Sequence, residues 1–140
     1  MSKLAFIFPG QGAQKAGMGK DFYENSEAAR SFFDQAQKIL DFDLKEMCFG
    51  EHEELNLTEY TQPCMVSVCL AIVQELKKRG INPDITAGLS LGEYAAVAAA
   101  GGMNELDAIK LVRRRGILMQ STVPAGEGAM AAVLGLDAKK

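Results

Sequence analysis

Gly88-Leu89-Ser90-Leu91-Gly92 is the stretch that decides the fold of this 140-residue sequence, because it places a serine between a strand pattern and a helix pattern. Residues 84–87 suit a short buried strand, and residues 93–100 contain five alanines and no helix breaker. An abrupt reversal from strand to helix strains the residue at the apex, and glycines two positions away on each side avoid collisions. The pattern therefore predicts an exposed serine hydroxyl, with the first amides of the helix facing whatever that oxygen attacks.

A serine presented in this way is typical of acyl transfer through a covalent serine ester. The alternative is a purely structural turn, since a pentapeptide with three fixed positions also arises by chance. The flanking residues favour the nucleophile, because alanine promotes helix and allows that helix to pack closely on a sheet.

Composition indicates an ordinary soluble globular domain, with 48% hydrophobic residues, 24% charged residues and a net charge of −3. This charge gives no reason to expect nucleic acid or an anionic membrane as a partner. No apolar run approaches the ~20 residues that span a bilayer, and the apolar start of the chain is too short for a signal peptide. The three cysteines lack metal-site spacing, so we expect buried free thiols, no zinc site and a cytoplasmic location.

Strand patterns that alternate with helix patterns predict an α/β fold with a mainly parallel sheet. The helix that begins at Thr58 should hold Pro63 in its first turn, and Asn104 should cap a later helix. We expect strands over 3–8, 84–87 and 129–136, the first two of them buried, and helices over 28–40, 43–49, 58–79, 93–100 and 105–121.

The loop after the first strand, Gly10-Gln11-Gly12, fails both common nucleotide motifs. Lys15 stands where a dinucleotide fingerprint needs its third glycine, and Met18 stands where a phosphate-binding loop needs lysine. A plain turn is one interpretation. The other is that this loop lies beside the serine, since loops that follow parallel strands emerge at one sheet edge. Amides of Gln11 and Leu91 would then form an oxyanion hole.

Three consecutive arginines, Arg113 to Arg115, point in different directions on a helix. Arg113 should flank the core, Arg114 should face water and Arg115 should lie on the apolar side. An inward arginine needs an anion, because an unpaired buried charge is costly. Two partners for Arg115 stay open. One is a structural carboxylate such as Asp107 or Glu93, and the other is a substrate carboxylate held by the guanidinium.

His52 is the only histidine, and it lies in an acidic stretch upstream of the serine. We expect it to be exposed and idle rather than a catalytic base. The fifty residues after Ser90 contain no histidine, so a hydrolase-type triad cannot be completed within this sequence.

Four motifs in a fixed order extend along the whole chain and identify a resemblance. They are Phe-Pro-Gly-Gln-Gly-Ala-Gln at 8–14, Thr-Gln-Pro at 61–63, Gly-Leu-Ser-Leu-Gly-Glu-Tyr at 88–94 and Arg-Gly-Ile-Leu-Met-Gln at 115–120. Together they closely resemble the acyltransferase family of malonyl-CoA:acyl carrier protein transacylases of fatty acid synthesis. The acyltransferase domains of polyketide synthases are similar.

The resemblance implies a ping-pong transfer of malonyl from coenzyme A to Ser90 and then to the thiol of acyl carrier protein. By the same resemblance, the backbone amides of Gln11 and Leu91 form the oxyanion hole, and Arg115 binds the free carboxylate of malonyl. The family implies no metal or redox cofactor.

The resemblance also implies a hydrolase-like α/β domain with a ferredoxin-like insert, of which residues 1–125 form the first part and residues 126–140 the entry into the insert. Leu89 departs from the family, in which histidine is frequent before the nucleophile. The catalytic histidine of the family lies beyond residue 140. We therefore expect this chain to be inactive or impaired alone and to need the C-terminal half as a partner.

Two other functions stay open on the sequence. A non-catalytic half-domain would dock on a partner and use the Ser90 turn only as structure. A serine esterase would cleave simple esters without any dependence on Arg115.

Overall fold

The architecture is a pair of strands and a set of helices, seen in a computed structural model that describes residues 2–123, 126–128 and 135. The predicted strand over 129–136 lies outside the described residues apart from position 135. The elements are β1 (Ala5–Phe8), α1 (Lys20–Asn25), α2 (Glu27–Gln37), α3 (Leu44–Phe49), a short 3₁₀ helix (Glu53–Asn56), α4 (Thr58–Lys78), β2 (Ile85–Gly88), α5 (Leu91–Ala99) and α6 (Glu105–Thr122).

The two strands lie side by side and run parallel, as the sequence predicts. Ala5 is opposite Ile85, and Phe8 is opposite Gly88. Helix α5 packs on one face of this pair, where the Thr86 hydroxyl donates a hydrogen bond of 3.0 Å to the carbonyl of Ala96. The parallel register brings the carboxyl ends of both strands, and the loops that follow them, to the same edge.

The prediction that both strands are buried is wrong for one of their faces. Phe8 is buried, but Ile7 on the opposite face is 71% exposed and Ile85 beside it is 54% exposed. Apolar residues on both faces are typical of a parallel sheet covered on both sides. Among the described residues the sheet has only two strands, and the face of Ile7 and Ile85 is left open.

Most helix ends follow the local signals in the sequence. The Ser26 hydroxyl accepts from the Ala29 N–H at the start of α2, and the Asn104 side chain caps α6 as predicted. Gly80 has a φ of 75° after α4, where the left-handed region suits glycine. The sequence prediction missed α1, which is short and has no side-chain cap.

Pro63 is not in the first turn of α4, as predicted, but is the sixth residue of a helix that begins at Thr58. Because proline has no N–H, the carbonyl of Glu59 loses its usual donor. The Arg113 guanidinium replaces that donor with a 2.8 Å hydrogen bond and also binds the Asp41 carboxylate through two bonds of 2.9 Å. Arg113 is therefore a structural residue that joins α6 to α4.

Helix α4 is central, and buried residues on most of its length contact α2, α5 and α6. Gly116 of α6 allows the two longest helices to approach closely, since a Cβ there would lie 2.8 Å from the Thr58 carbonyl oxygen. Within residues 2–123, no helix combines the length and the apolar character needed to cross a bilayer.

Replacing Arg113 with methionine should lower the free energy of unfolding by about 2–3 kcal/mol, because it leaves the Glu59 carbonyl and two carboxylates without their donor. Urea unfolding followed by circular dichroism measures the change. The matched control is Arg114→Met on the exposed side of the same helix, which should shift stability by less than about 0.5 kcal/mol. Equal effects of the two substitutions would contradict the structural role of Arg113.

The ion pair between Arg113 and Asp41 should make the stability of the fold depend on pH. Hydrogen bonds from Arg113 hold the pKa of Asp41 below its usual value, and burial opposes this only partly. A carboxyl group whose pKa is lowered in the folded state stabilises the fold above its ordinary pKa and loses that contribution as the pH falls through the lowered value. Stability of the Arg113→Met variant should therefore decline less steeply in acid than that of the unchanged chain.

Candidate active site

Ser90 stands at the apex of the turn between β2 and α5, with φ 49° and ψ −101°. It is the one non-glycine residue of the described chain with a positive φ, and it is exposed. Gly88 and Gly92, two residues away on either side, must be glycines because a side chain there would collide with backbone atoms. A Cβ on Gly88 would lie 2.1 Å from the carbonyl carbon of Gly92, and one on Gly92 would lie 2.3 Å from the Phe8 oxygen. The predicted strand, turn and helix are therefore present.

The loop after β1 packs against this turn. A Cβ on Gly10 would lie 2.9 Å from the Leu89 oxygen, and the Leu89 N–H donates to the Phe8 carbonyl at 3.1 Å. In the part of the chain that the structure describes, the N–H groups of Gln11 and Leu91 have no hydrogen-bond partner. Leu91 is only 1% exposed, and an unpaired N–H in a buried residue is uncommon. An N–H group that has no partner among the described residues therefore follows each of the adjacent strands β1 and β2.

Side-chain hydrogen bonds hold the Gln11 loop in place. The Gln11 amide donates to the Thr58 hydroxyl at 3.0 Å, and the Thr58 N–H donates to the Gln120 side chain at 3.0 Å. Gln14 donates to Asn56 at 3.1 Å. Sequence reasoning missed this chain of contacts because its members are up to 62 positions apart and follow no periodic pattern. Through Thr58, these contacts join the motif at 8–14 to the motif at 115–120.

The Thr61-Gln62-Pro63 motif forms a second connection between α4 and α6. Gln62 is fully buried and donates to the Met119 sulfur at 3.3 Å, while Pro63 creates the acceptor that Arg113 uses. The Gln62 side-chain oxygen has no partner among the described residues. The motif therefore supports the helix that carries the arginines.

Arg115 lies over the ring of Tyr94, with 5.5 Å between its guanidinium carbon and the ring centroid. Its side chain is half-buried, as expected for a residue on the apolar side of α6. Tyr94 follows Ser90 by four residues on α5, which is about 6 Å along the helix axis. The structure thus brings the arginine close to the helix that presents the serine.

Neither carboxylate that the sequence offered as a structural partner pairs with Arg115. Asp107 binds Lys110 at 3.0 Å instead, and Glu93 forms no ion pair among residues 2–123. Within the same range, Arg115 itself has no ion-pair or hydrogen-bond acceptor. No described residue therefore occupies the donors of Arg115, whereas those of Arg113 are occupied by Asp41 and Glu59.

His52 is half-buried, and its Nε2 lies 3.0 Å from the Glu46 carboxylate. The expectation that it is exposed is therefore wrong, because the ring is partly covered. The ring contacts helix α3 and lines a polar cavity with Gln14 and Asn56, and Ser90 is not among the residues that line this cavity. The geometry does not bring His52 to the serine as a base.

The cysteines are free thiols, as predicted. Cys48 and Cys64 are buried as expected, whereas Cys69 is only half-buried. A hydrogen bond with Cys64, together with burial, raises the pKa of Cys48 well above its usual value. Burial raises the pKa of Cys69 to about 11. Because the thiolate is the reactive form, the raised pKa values disfavour Cys48 and Cys69 as nucleophiles.

An apolar cavity of about 410 Å³ lies between β1 and α4. A large apolar pocket is the usual first candidate for a ligand site. This one is lined by side chains such as Met65 and Ile72, and neither Ser90 nor Arg115 borders it. We therefore place the candidate site at the Ser90 turn rather than in this cavity.

The sequence model of the acyl transferase domain family matches residues 5–140, which is nearly the whole chain. The chain belongs to the acyl transferase domain family. The resemblance found in the four motifs is thereby confirmed.

Individual members of the acyl transferase domain family are similar along nearly the full chain. Malonyl CoA-acyl carrier protein transacylase of Bacillus subtilis is 51% identical over 140 residues, which are 99% of this chain and 44% of the relative. The crystal structure of FabD from Acinetobacter baumannii has a TM-score of 0.88 at 46% identity and covers 98% of this chain and 44% of its own. The chain spans less than half the length of these relatives.

A third acyl transferase domain relative is a malonyl-transacylase solved in complex with a polyketide acyl carrier protein. It has a TM-score of 0.83 at 40% identity and covers 89% of this chain and 41% of its own. The fold described for residues 2–123 is therefore that of the first part of such enzymes.

Proposed function

We propose that this chain carries the nucleophile and the carboxylate-binding residue of an enzyme that transfers malonyl from coenzyme A to acyl carrier protein. The observation that carries the proposal is the exposed Ser90 at a strained turn, where both strands are followed by amides that lack partners among the described residues. Arg115 lies over Tyr94, on the helix that follows the serine. The names of the relatives support the same substrates.

In the first half-reaction, the Ser90 hydroxyl oxygen attacks the thioester carbonyl carbon of malonyl-CoA. The bond from carbon to the coenzyme A sulfur breaks, and the serine proton passes through a base to that sulfur. The N–H groups of Gln11 and Leu91 stabilise the oxyanion of the tetrahedral intermediate, because donors fixed in advance need no reorganisation during the reaction.

In the second half-reaction, the thiol of acyl carrier protein attacks the Ser90 ester. A new thioester forms as the ester bond between the acyl carbon and the Ser90 oxygen breaks, and the thiol proton passes to that oxygen. In both halves, Arg115 holds the free carboxylate of malonyl with paired hydrogen bonds, since the guanidinium fork matches a carboxylate in geometry and charge. No step in this scheme uses a metal or a redox cofactor.

The base is the part of the scheme that this sequence does not supply, since no histidine follows Ser90. We therefore expect the 140-residue chain alone to acylate Ser90 slowly and to turn over poorly. The division into a first part at 1–125 and the start of a ferredoxin-like insert at 126–140 stays a prediction, as does the C-terminal half as partner.

The test is to incubate the chain with malonyl-CoA, measure its intact mass and map any adduct by peptide sequencing. We expect one malonyl group on Ser90, and Ser90→Ala should abolish that adduct. The matched control is Ser121→Ala at an exposed position, which should label normally. An adduct that persists in Ser90→Ala would contradict the proposal.

The same experiment separates the two alternative functions. If an enzyme that contains residues 1–140 and completes the domain also forms no Ser90 adduct, the missing base cannot be the reason, and the non-catalytic half-domain would be favoured. Rapid cleavage of simple esters that is unchanged in Arg115→Ala would favour a serine esterase.

A further inference from the structure

The two arginines on the buried side of α6 are held in different ways. Arg113 stacks on the Phe42 and Tyr60 rings at 5.1 Å and also binds two carboxylates and a carbonyl. Arg115 stacks on one ring, that of Tyr94, and the part of the chain seen in the structure provides no acceptor for its N–H groups. The first arrangement locks a guanidinium into the fold, and the second leaves it free to bind.

An aromatic face stabilises a cation without using its hydrogen-bond donors. The attraction is electrostatic, acts on the flat side of the guanidinium and contributes about 0.5–1 kcal/mol at exposed sites and about 2 kcal/mol when water is excluded. A carboxylate partner would instead occupy the N–H fork and neutralise the charge. A half-buried arginine that must bind an anionic ligand is therefore better held by a ring than by an acid.

We propose that Tyr94 is a positioning residue, which holds the Arg115 guanidinium flat on its ring so that the fork faces the carboxylate of the acyl group bound at Ser90. This inference rests on the proposed function. Tyr94 lies on α5 one turn after the serine, so that a single helix would set both the nucleophile and the plane of the arginine.

The phenol oxygen is not needed for this role. The Tyr94 hydroxyl has no hydrogen-bond partner within residues 2–123, and the guanidinium contacts the ring. Phenylalanine should therefore replace Tyr94 without loss, whereas an aliphatic residue of similar size should not. This conservative rescue distinguishes positioning by the ring from a general packing role.

The first measurement tests the contact itself and does not depend on the reaction. In nitrogen-15 spectra of the chain, the Arg115 side-chain Nε–H signal, assigned by its absence in Arg115→Lys, should carry a ring-current shift. That shift should persist in Tyr94→Phe and disappear in Tyr94→Leu. An unchanged signal in Tyr94→Leu would overturn the contact. Should Tyr94→Leu unfold, as judged by circular dichroism, Tyr94→Met also removes the ring.

The second measurement compares the rates at which malonyl-CoA and acetyl-CoA label Ser90. In Tyr94→Leu the malonyl rate should fall about fivefold, while the acetyl rate stays unchanged, since acetyl has no carboxylate for Arg115 to hold. Tyr94→Phe should behave like the unchanged chain. The matched control is Tyr60→Leu, which removes a ring from Arg113 and should leave the ratio of the two rates unaltered.

The outcomes separate this inference from the proposed function. If the unchanged chain labels equally with both donors, the carboxylate role of Arg115 fails, and the positioning role fails with it. If the unchanged chain prefers malonyl and Tyr94→Leu keeps that preference, only the role of Tyr94 fails. A loss of malonyl preference in Tyr94→Leu and its retention in Tyr94→Phe would support both.

Discussion

Replacing Gly92 with alanine is expected to lower the free energy of unfolding by about 3–5 kcal/mol or to prevent folding, because the new methyl group has no space. It would lie 2.3 Å from the Phe8 oxygen and 2.6 Å from the Pro9 oxygen, and both are backbone atoms at the end of β1. Relief would require α5 to move away from the sheet and Ser90 to move with it. Urea unfolding by circular dichroism measures the loss.

The control for Gly92 is Gly102→Ala, beyond the other end of α5. There the added Cβ would lie 3.1 Å from a side-chain carbon of Val97 and 3.3 Å from its carbonyl oxygen, which is a milder crowding than at Gly92, and the Val97 side chain is exposed. We expect a loss of less than about 1 kcal/mol. Comparable stability of Gly92→Ala and Gly102→Ala would show that the contact between α5 and the end of β1 is looser than described.

The second large effect concerns donor choice. In an enzyme that contains residues 1–140 and completes the domain, Arg115→Ala should reduce malonyl transfer about a hundredfold, since hydrogen bonds between charged groups contribute about 1.5–3 kcal/mol each. Transfer of acetyl should change little or rise, because that group makes no use of the guanidinium. Steady-state rates with malonyl-CoA and acetyl-CoA give the ratio directly.

Arg114→Ala is the matched control for donor choice, since Arg114 is the exposed neighbour on the same helix. It should keep the ratio of malonyl to acetyl transfer within about twofold of the unchanged enzyme. If Arg115→Ala also keeps this ratio, Arg115 does not bind the substrate carboxylate. A loss of both activities together would point to structural damage, which thermal unfolding of the same variant would reveal.

Local signals explain the parts of the fold that were predictable. The Ser90 turn, the Asn104 cap and the glycine after α4 each depend on residues within a few positions of one another. Sequence patterns report such contacts well because they are set by backbone geometry and side-chain size. The parallel pairing of β1 with β2 followed from the alternation of strands and helices.

The predictions for Pro63 and for strand burial were wrong because they depended on contacts between distant parts of the chain. Pro63 was expected in a first turn because local rules disfavour it deeper in a helix, and Arg113, fifty positions away, supplies the donor that makes the deeper position acceptable. The apolar strands predicted burial on both sides, but the cover of a sheet face depends on which elements pack against it. The described residues leave the face of Ile7 and Ile85 open.

The candidate site divides in the same way. The sequence by itself determined that position 90 would be a serine at a glycine-flanked apex, since that requirement arises from atoms within two residues of it. It left the partner of Arg115 undecided, because periodicity gives the side of a helix and not the group that faces it. Only the tertiary structure placed the guanidinium over Tyr94 and tied Gln11 to Thr58, since such contacts depend on how distant segments pack together.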